Sequence, residues 1–335
     1  MENYRSYYRS FREQSAHYFN RAHEGVPDGA VEVAAAWRGE ALAGDDSWRI
    51  PLSSDQIEEI EAAIRSAVAT GRPTGELTRN DFPLPDLGQK IAAWREELAV
   101  GRGFLLITGL PVERWPEEHC ELFFWCMGLH LGQPGGQNPS GDLLGHVRDT
   151  GAKENDEFVR LYQTAAKIAY HCDAADVVGL LCKNKARRGG QSRIVSSVSV
   201  YNELQRVRPD LARRLFDPVL LDVRDAKPDD AFRYFPVPPC RYASGHLQTF
   251  YHSDYFRSVQ RHRDVPPKTP SERELLDVYE AIALTEGMYL DMDLAPGDIQ
   301  LLSNHTVLHA RTEYEEWPEP DRKRHLLRLW LSLDR

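Results

Sequence analysis

Apolar positions recur at helical spacing in the first part of the chain. Ile60 and Ile64 share one face of a predicted helix, which Ser54 can cap at its N-terminus. A second helix is predicted from about residue 85 to 100, before a pair of closely spaced glycines. We therefore expect residues 1–100 to form a helical N-terminal layer.

Beyond residue 100 the pattern changes to short apolar runs bounded by Gly, Pro and Asp. Residues 104–108 are typical of a buried strand. One further helix is predicted over residues 116–131, and helices near 200–206 and 271–284 are expected as insertions between strands. Many short strands separated by turn residues favour an antiparallel sandwich or jelly roll. The other predicted strands are 143–147, 176–182, 193–196, 247–251, 298–303, 306–308 and 324–333.

No internal repeat or linker divides the chain. We therefore predict a single domain over residues 1–335, with a jelly-roll core in residues 101–335 that is mainly β and carries flanking helices. The segment 226–240 is rich in proline and charge, and we expect it to form a lid-like surface loop.

Composition narrows the class of partner. The chain has 335 residues, 41% of them hydrophobic and 27% charged, which is the balance of a globular protein. A net charge of −10 without a basic run disfavours nucleic acid and anionic membranes. No stretch approaches the roughly 20 apolar residues that span a bilayer, and no signal-peptide pattern is seen, so we expect a cytoplasmic location. A small molecule is the expected partner, and a homo-oligomer is compatible with the sequence.

One short pattern suggests a metal site. His171 and Asp173 are two residues apart, so in a strand they point to the same face. His309 would complete two histidines and one carboxylate, the ligand set of non-haem Fe(II) oxygenases. A second His-x-Asp pair, His252 and Asp254, is a rival. We favour the first pair because an apolar strand follows it directly, whereas a polar segment follows the second.

Arg328 lies in the middle of a predicted C-terminal strand, with Leu on both sides. An inward-facing arginine needs an anionic partner, because an unpaired buried charge is very costly. The carboxylate of a cosubstrate would supply one, and a structural ion pair or an outward-facing side chain is the alternative.

Two longer stretches extend these motifs. Residues 170–203 contain the His-x-Asp pair, Asp-Val-Val-Gly-Leu-Leu-Cys, a Gly-Gly pair and Ile-Val-Ser-Ser, and residues 296–331 contain Pro-Gly-Asp-Ile-Gln, Asn-His-Thr-Val-Leu-His-Ala-Arg-Thr and Arg-His-Leu-Leu-Arg-Leu-Trp-Leu. Together with residues 103–109 and 141–149, they resemble the TauD/TfdA-like family of taurine catabolism dioxygenases. The resemblance implies a double-stranded β-helix and a dioxygenase that uses Fe(II), 2-oxoglutarate and O₂.

The resemblance also implies roles for individual residues. His171, Asp173 and His309 would be the iron ligands. Arg328 would hold the distal carboxylate of 2-oxoglutarate, and Ser192 stands where the family often has a threonine that assists that carboxylate. Weaker candidates for substrate contact or for support of the ligands are Gln163, Lys167, Tyr170, His146, Asn304 and Arg311.

The expected reaction is hydroxylation of a C–H bond of a small molecule, with release of succinate and CO₂. Desaturation, cyclisation or C–heteroatom cleavage with the same cofactors remains open. Two other classes are alternatives: a cupin-like binding protein without catalysis, and a metal-dependent hydrolase whose open metal positions activate water.

Overall fold

The computed structural model describes residues 8–152, 159–223 and 232–333. Within these ranges the helices α1 to α9 are, in chain order, Phe11–Phe19, Gly39–Leu42, Ser54–Ala69, Leu87–Ala99, Glu117–Leu131, Ser197–Val207, Pro209–Arg214, Ser253–Ser258 and Pro270–Ala283. None of them is long and apolar enough to cross a membrane.

The same ranges contain strands that we number β1 to β17. In chain order they are Arg49–Pro51, Phe104–Thr108, Gln133–Pro134, Leu144–Val147, Ile168–His171, Val177–Asn184, Arg188–Gly189, Ser192–Ser196, Val219–Asp222, Tyr234–Val237, Cys240–Ala243, His246–Thr249, Tyr289–Met292, Ile299–Ser303, Val307–Arg311, Tyr314–Glu315 and His325–Ser332.

Two sheets form the centre of the molecule. The larger has the order β1-β2-β14-β6-β17-β3, and β4 also pairs with β17. The smaller has the order β13-β8-β15-β5. All pairings in both sheets are antiparallel except that of β1 with β2. The predicted β-sheet core with flanking helices is confirmed.

One apolar cluster lies between the two sheets. Phe104, Val178 and Trp330 of the larger sheet pack there with Ile194 and Val307 of the smaller sheet, and all five are buried. The outer face of the larger sheet is covered by α3, α4 and α5, and that of the smaller sheet by α6 and α9. The apolar cluster therefore fills the space between the two sheets, and a pocket lies at the edge of that cluster.

The N-terminal part is less purely helical than expected. Strand β1 pairs in parallel with β2, so residues 49–51 belong to the larger sheet. Ser53 rather than Ser54 caps α3, because the Ser53 hydroxyl accepts the backbone N–H of Gln56 while the Gln56 side chain accepts the N–H of Ser53.

The predicted lid-like loop is only partly a loop. Within residues 226–240, strand β10 pairs with β9, and Cys240 begins β11, which pairs with β12. Proline is tolerated in the edge strands of such short two-stranded sheets, so a proline-rich segment that was predicted to be a loop can contain strands. Residues 226–231 of the predicted loop lie outside the described part of the chain.

Candidate functional site

Strands β5 and β15 bring the predicted metal ligands together. His171 is the last residue of β5, Asp173 follows two residues later, and His309 lies in the middle of β15. His171 and His309 are direct partners in the β5–β15 pairing. One ligand atom of each of the three side chains lies within 4.8 Å of those of the others. A single ion could therefore contact all three.

The donor atoms of this triad suit a metal. His309 Nε2 lies 3.8 Å from Asp173 Oδ2. Asp173 Oδ2 and His309 Nδ1 are buried and have no hydrogen-bond partner. The Ala169 carbonyl accepts a hydrogen bond from His171 Nδ1 over 3.0 Å, which leaves Nε2 of that ring as the nitrogen available to a metal. Burying a carboxylate oxygen without a partner is costly, and a bound cation would remove that cost.

Electrostatics set the protonation states that a cation requires. Burial raises the pKa of Asp173, but nearby Arg328 and the two imidazoles more than offset it, so the pKa lies below its usual range. Burial, with His171 acting in the same direction, lowers the pKa of His309 to about 3. At neutral pH the triad therefore offers a carboxylate and a neutral His309 imidazole, the forms that bind metal.

Hydrogen bonds hold the turn that carries Asp173. Asn304 Oδ1 accepts the backbone N–H of Asp173 over 3.0 Å. Asp176, three residues on, accepts from His305 Nε2 at 2.8 Å and pairs with Arg21 of the segment after α1. Asn304 thus supports the backbone of the triad residue Asp173 and does not line the pocket.

A pocket opens beside the triad between the two sheets. Its lining is partly apolar, which favours exclusion of water from the site. The residues that line it are Val147, Tyr162, Ile168, His171, Asp173, Val178, Leu180, Ser192, Leu294, His309, Ala310, Arg311, Arg324, Leu326 and Arg328.

Arg328 lies on the side of this pocket next to the triad. Its Nη1 lies 3.9 Å from Asp173 Oδ2, and its Nε donates to Gln137 Oε1 over 2.7 Å. Its guanidinium also lies over the ring of Tyr162, 4.7 Å from the centroid. The side chain lines the pocket, so the outward-facing alternative is wrong.

Two more buried arginines line the pocket. Arg311 donates from Nη2 to the carbonyls of Thr164 and Ala166, while its Nε and Nη1 have no partner. Arg324 is 6% exposed, and its Nη1 also lacks a hydrogen-bond partner. Burial lowers the pKa of Arg311 to about 10 and lowers that of Arg324 as well. Unpaired, buried guanidinium N–H groups indicate that this pocket suits an anion.

Ser192 lies on β8 and is 8% exposed. It pairs across the sheet with Arg311, and its hydroxyl donates to Gln300 Oε1 over 2.9 Å. A Cβ on Gly190, where φ is +75°, would meet Arg324 Nε at 3.1 Å. The glycine thus lets Arg324 pack close to the segment that carries Ser192.

The structure does not bring five of the six weaker candidates to the pocket lining, Asn304 among them. Tyr170 is 2% exposed and packs in the apolar cluster under α6 and α9. Lys167 is exposed, and Gln163 interacts through its backbone carbonyl with Thr150. His146 contacts His325 on the other face of the larger sheet, because it shares that face with its β17 partner Leu327.

The rival pair is arranged differently. His252 caps α8 and accepts the backbone N–H of Tyr255 at 3.4 Å. Its ring lies 5.0 Å from that of His171. In the described ranges, neither His252 nor Asp254 belongs to a group that could hold a metal. His252 therefore adjoins the triad without joining it.

Several residues in the pocket or directly behind its lining escaped sequence reasoning. Gln137 holds Arg328 from a glycine-rich loop, and Gln300 holds Ser192 from β14. Gln137 has no local pattern that marks it, and Gln300 ends the Pro-Gly-Asp-Ile-Gln motif but was assigned no role from the sequence. Arg324 had a signal, since it lies four residues before Arg328 in the same arginine-rich stretch.

Over residues 70–330 the chain matches the family described as taurine catabolism dioxygenase TauD, TfdA family. It is 29% identical over 307 residues to FR-33289 synthase from Streptomyces rubellomurinus (strain ATCC 31215), with 91% of each chain covered. It is 27% identical over 312 residues to the taurine hydroxylase-like protein SAT17 from Stachybotrys chartarum (strain CBS 109288 / IBT 7711), with 90% of this chain and 79% of that protein covered.

Solved structures with the same fold include two oxygenases. Asparagine oxygenase in complex with Fe(II), 2S,3S-3-hydroxyasparagine and succinate has a TM-score of 0.66 at 17% identity, covering 85% of this chain and 93% of that chain. The non-haem iron oxygenase OrfP in complex with Fe and alpha-ketoglutaric acid has a TM-score of 0.61 at 17% identity, covering 85% and 94%.

Proposed function

The chain belongs to the taurine catabolism dioxygenase TauD, TfdA family, and from that premise we propose that its buried triad holds Fe(II) for hydroxylation of a small, anionic molecule. The predicted enzyme class, a non-haem iron oxygenase that depends on 2-oxoglutarate, is confirmed by the family. With O₂, iron and 2-oxoglutarate supply the oxidation of a C–H bond, which yields the hydroxylated product, succinate and CO₂.

The ligand roles rest on one observation. Asp173 and His309 each bury a ligand-type atom without a hydrogen-bond partner, and these residues form one cluster with His171. Two histidines and one carboxylate leave coordination positions open for a cosubstrate. We therefore assign the iron to His171, Asp173 and His309.

The protein's part in the reaction is to position groups and exclude water. Asn304 fixes the backbone of Asp173, and Gln137 fixes Arg328. The apolar side chains of the lining keep bulk water from the reacting C–H bond. Two sheets that face each other across a shared apolar cluster support the jelly-roll architecture and the single domain expected from the sequence.

The distal carboxylate of 2-oxoglutarate has two candidate arginines. Arg328 is the sequence-based choice, but its Nη1 lies 3.9 Å from the metal ligand Asp173. A cosubstrate that binds the metal through its other end would place the distal carboxylate farther away. Arg324 has an unpartnered N–H and packs against Gly190, two residues from Ser192. We therefore place the distal carboxylate at Arg324 and Ser192 and retain Arg328 as the alternative.

The charge of the lining supports an anionic substrate. Three arginines line the pocket and Asp173 is the one carboxylate among the lining residues. Iron would add two positive charges and 2-oxoglutarate two negative ones, so the site keeps a surplus of positive charge. Arg328, beside the metal, is the natural partner for an acidic group of the substrate. Lys167 is exposed and does not contribute to this surplus.

An assay of succinate formation tests the reaction class. The enzyme with Fe(II), 2-oxoglutarate and a panel of acidic small molecules should release succinate only when O₂ is present. Product formed without O₂ would instead indicate the hydrolase, and binding without any turnover would indicate the cupin-like binding protein. Mass analysis of the product separates hydroxylation, a gain of one oxygen atom, from desaturation, cyclisation or cleavage.

A further inference from the structure

A second group of potential metal ligands lies on the opposite face of the larger sheet from the pocket. It consists of His146 on β4, His325 at the start of β17 and Glu117 in the first turn of α5, and we call it the edge cluster. Side chains alternate across a strand, so β17 directs Arg328 to the pocket and His325 to the helix side. The edge cluster is therefore separate from the triad.

The ligand atoms of the edge cluster are close to one another. One ligand atom of each residue lies within 4.8 Å of those of the other two. His146 Nδ1 lies 2.9 Å from His325 Nε2, and His325 Nδ1 lies 3.8 Å from Glu117 Oε1. Glu121, one turn after Glu117, places Oε1 3.9 Å from His146 Nε2. Imidazole and carboxylate groups thus converge from three elements.

The protonation states suit a cation. Burial, with Lys183 and His146 acting in the same direction, lowers the pKa of His325 to about 4. Lys183, which lies 3.1 Å from Glu117 Oε1, lowers the pKa of that carboxyl group. At neutral pH the cluster therefore contains a neutral His325 ring and a carboxylate. The Lys183 ammonium occupies part of the space that a cation would take.

We propose that the edge cluster binds a divalent transition-metal ion of the Zn²⁺ type, through His146, His325 and Glu117. Zinc binds imidazole nitrogen at about 2.0–2.1 Å and carboxylate oxygen at about 2.0–2.2 Å, usually with four ligands. The two ring nitrogens already stand 2.9 Å apart, so the ion takes the place of the proton they share after small side-chain movements. Glu117 is 51% exposed, and its side chain can swing to the ion while Lys183 moves to solvent.

Such an ion would join three elements at an edge of the sheet. Strand β4 pairs with β17 over four residues, and α5 covers that face of the sheet. The ion would tie the first turn of α5 to both strands. Because it binds the folded state, it would raise the free energy of unfolding as its concentration exceeds its dissociation constant.

Zinc binding to the edge cluster is best measured in a variant whose triad cannot bind metal. In a His171→Ala, Asp173→Ala background, equilibrium dialysis of the metal-free protein against Zn²⁺ should give one bound ion. Adding His146→Asn should weaken binding at least tenfold, whereas adding Glu118→Gln, at the exposed neighbour of Glu117, should leave it unchanged. Adding Lys183→Met should tighten binding, because the competing ammonium is removed.

The otherwise unmodified protein provides a second measurement if that background does not fold. It should bind two Zn²⁺ ions, and the His146→Asn variant one. The proposal is overturned if the background binds no Zn²⁺, if His146→Asn keeps full affinity, or if the unmodified protein and its His146→Asn variant bind the same number of ions.

Discussion

Arg324 and Arg328 lie four residues apart and line the same pocket, yet their neighbours differ. Arg328 contacts Gln137 and lies near Asp173, whereas Arg324 packs against Gly190 and keeps an unpartnered N–H. From its leucine neighbours, sequence reasoning could say only that Arg328 needs an anionic partner if it faces inward. It did not single out Arg324, although that residue lies four positions before Arg328 and therefore on the same face of the predicted strand.

This difference predicts separate kinetic effects. Arg324→Gln should raise the KM for 2-oxoglutarate by at least tenfold, since a charge-assisted hydrogen bond contributes about 1.5–3 kcal/mol. Arg328→Gln should raise the KM for the acidic substrate more than that for 2-oxoglutarate. Steady-state kinetics with each cosubstrate varied in turn would measure both. A larger effect of Arg328→Gln on 2-oxoglutarate would restore the sequence-based assignment.

At the scale of elements, α1 and the residues after it support the proposed metal centre from outside the matched family region. Tyr18 donates its hydroxyl to the carbonyl of Asn304 over 2.7 Å and stacks on His305. Arg21 pairs with Asp176, which also receives the backbone N–H of Leu333. The N-terminal segment thus fastens the two turns that carry Asp173 and Asn304.

Loss of the Arg21 ion pair should weaken this support. Burial raises the pKa of Asp176, but His305 and Arg21 more than offset it and hold the pKa well below its usual range. Arg21→Leu should therefore lower the free energy of unfolding by about 1–3 kcal/mol, because a buried acceptor loses a partner. Urea unfolding at pH 7 measures this.

An exposed ion pair provides the matched control. Arg206 is 69% exposed and pairs with Glu203 in α6, so Arg206→Leu should change the free energy of unfolding by less than about 1 kcal/mol. Equal effects of Arg21→Leu and Arg206→Leu would refute the supporting role of the N-terminal segment.

The elements themselves differ in how far the sequence predicts them. The run at residues 104–108 forms β2 with the predicted bounds, and the helix predicted over 116–131 is α5 from Glu117 to Leu131. Both elements are strongly apolar and are bounded by Gly or Pro, so the local sequence pattern is enough to predict them. Helix α1 is amphipathic but short, with Gln14 buried against Ala174 and Ser332. Its position depends on distant polar partners, which a local pattern does not contain.

At the scale of the whole molecule, buried histidines make stability depend on pH. Burial lowers the pKa of His325 to about 4 and that of His309 to about 3. It also lowers the pKa of His130 below its usual value. An unfolded chain protonates histidine near pH 6.5. Between about pH 6.5 and 4 the unfolded state therefore binds more protons than the folded state, so stability falls as the pH falls.

Removal of one of these histidines should reduce that dependence. In the presence of a chelator, the protein should lose free energy of unfolding between pH 7 and pH 5, and His325→Gln should lose about 1–2 kcal/mol less. Urea unfolding at both pH values gives the comparison. His119, which is half-buried in α5, offers the control substitution His119→Gln. An unchanged pH dependence in His325→Gln would contradict the account.

The assignment of iron to His171, Asp173 and His309 is the central claim, and anaerobic metal binding tests it most directly. Fe(II) and 2-oxoglutarate added together should produce a visible absorption band when the cosubstrate binds the protein-bound metal. The band should be absent in Asp173→Ala and retained in Asp254→Ala. Loss of the band in Asp254→Ala with its retention in Asp173→Ala would contradict the account and move the iron to the rival pair.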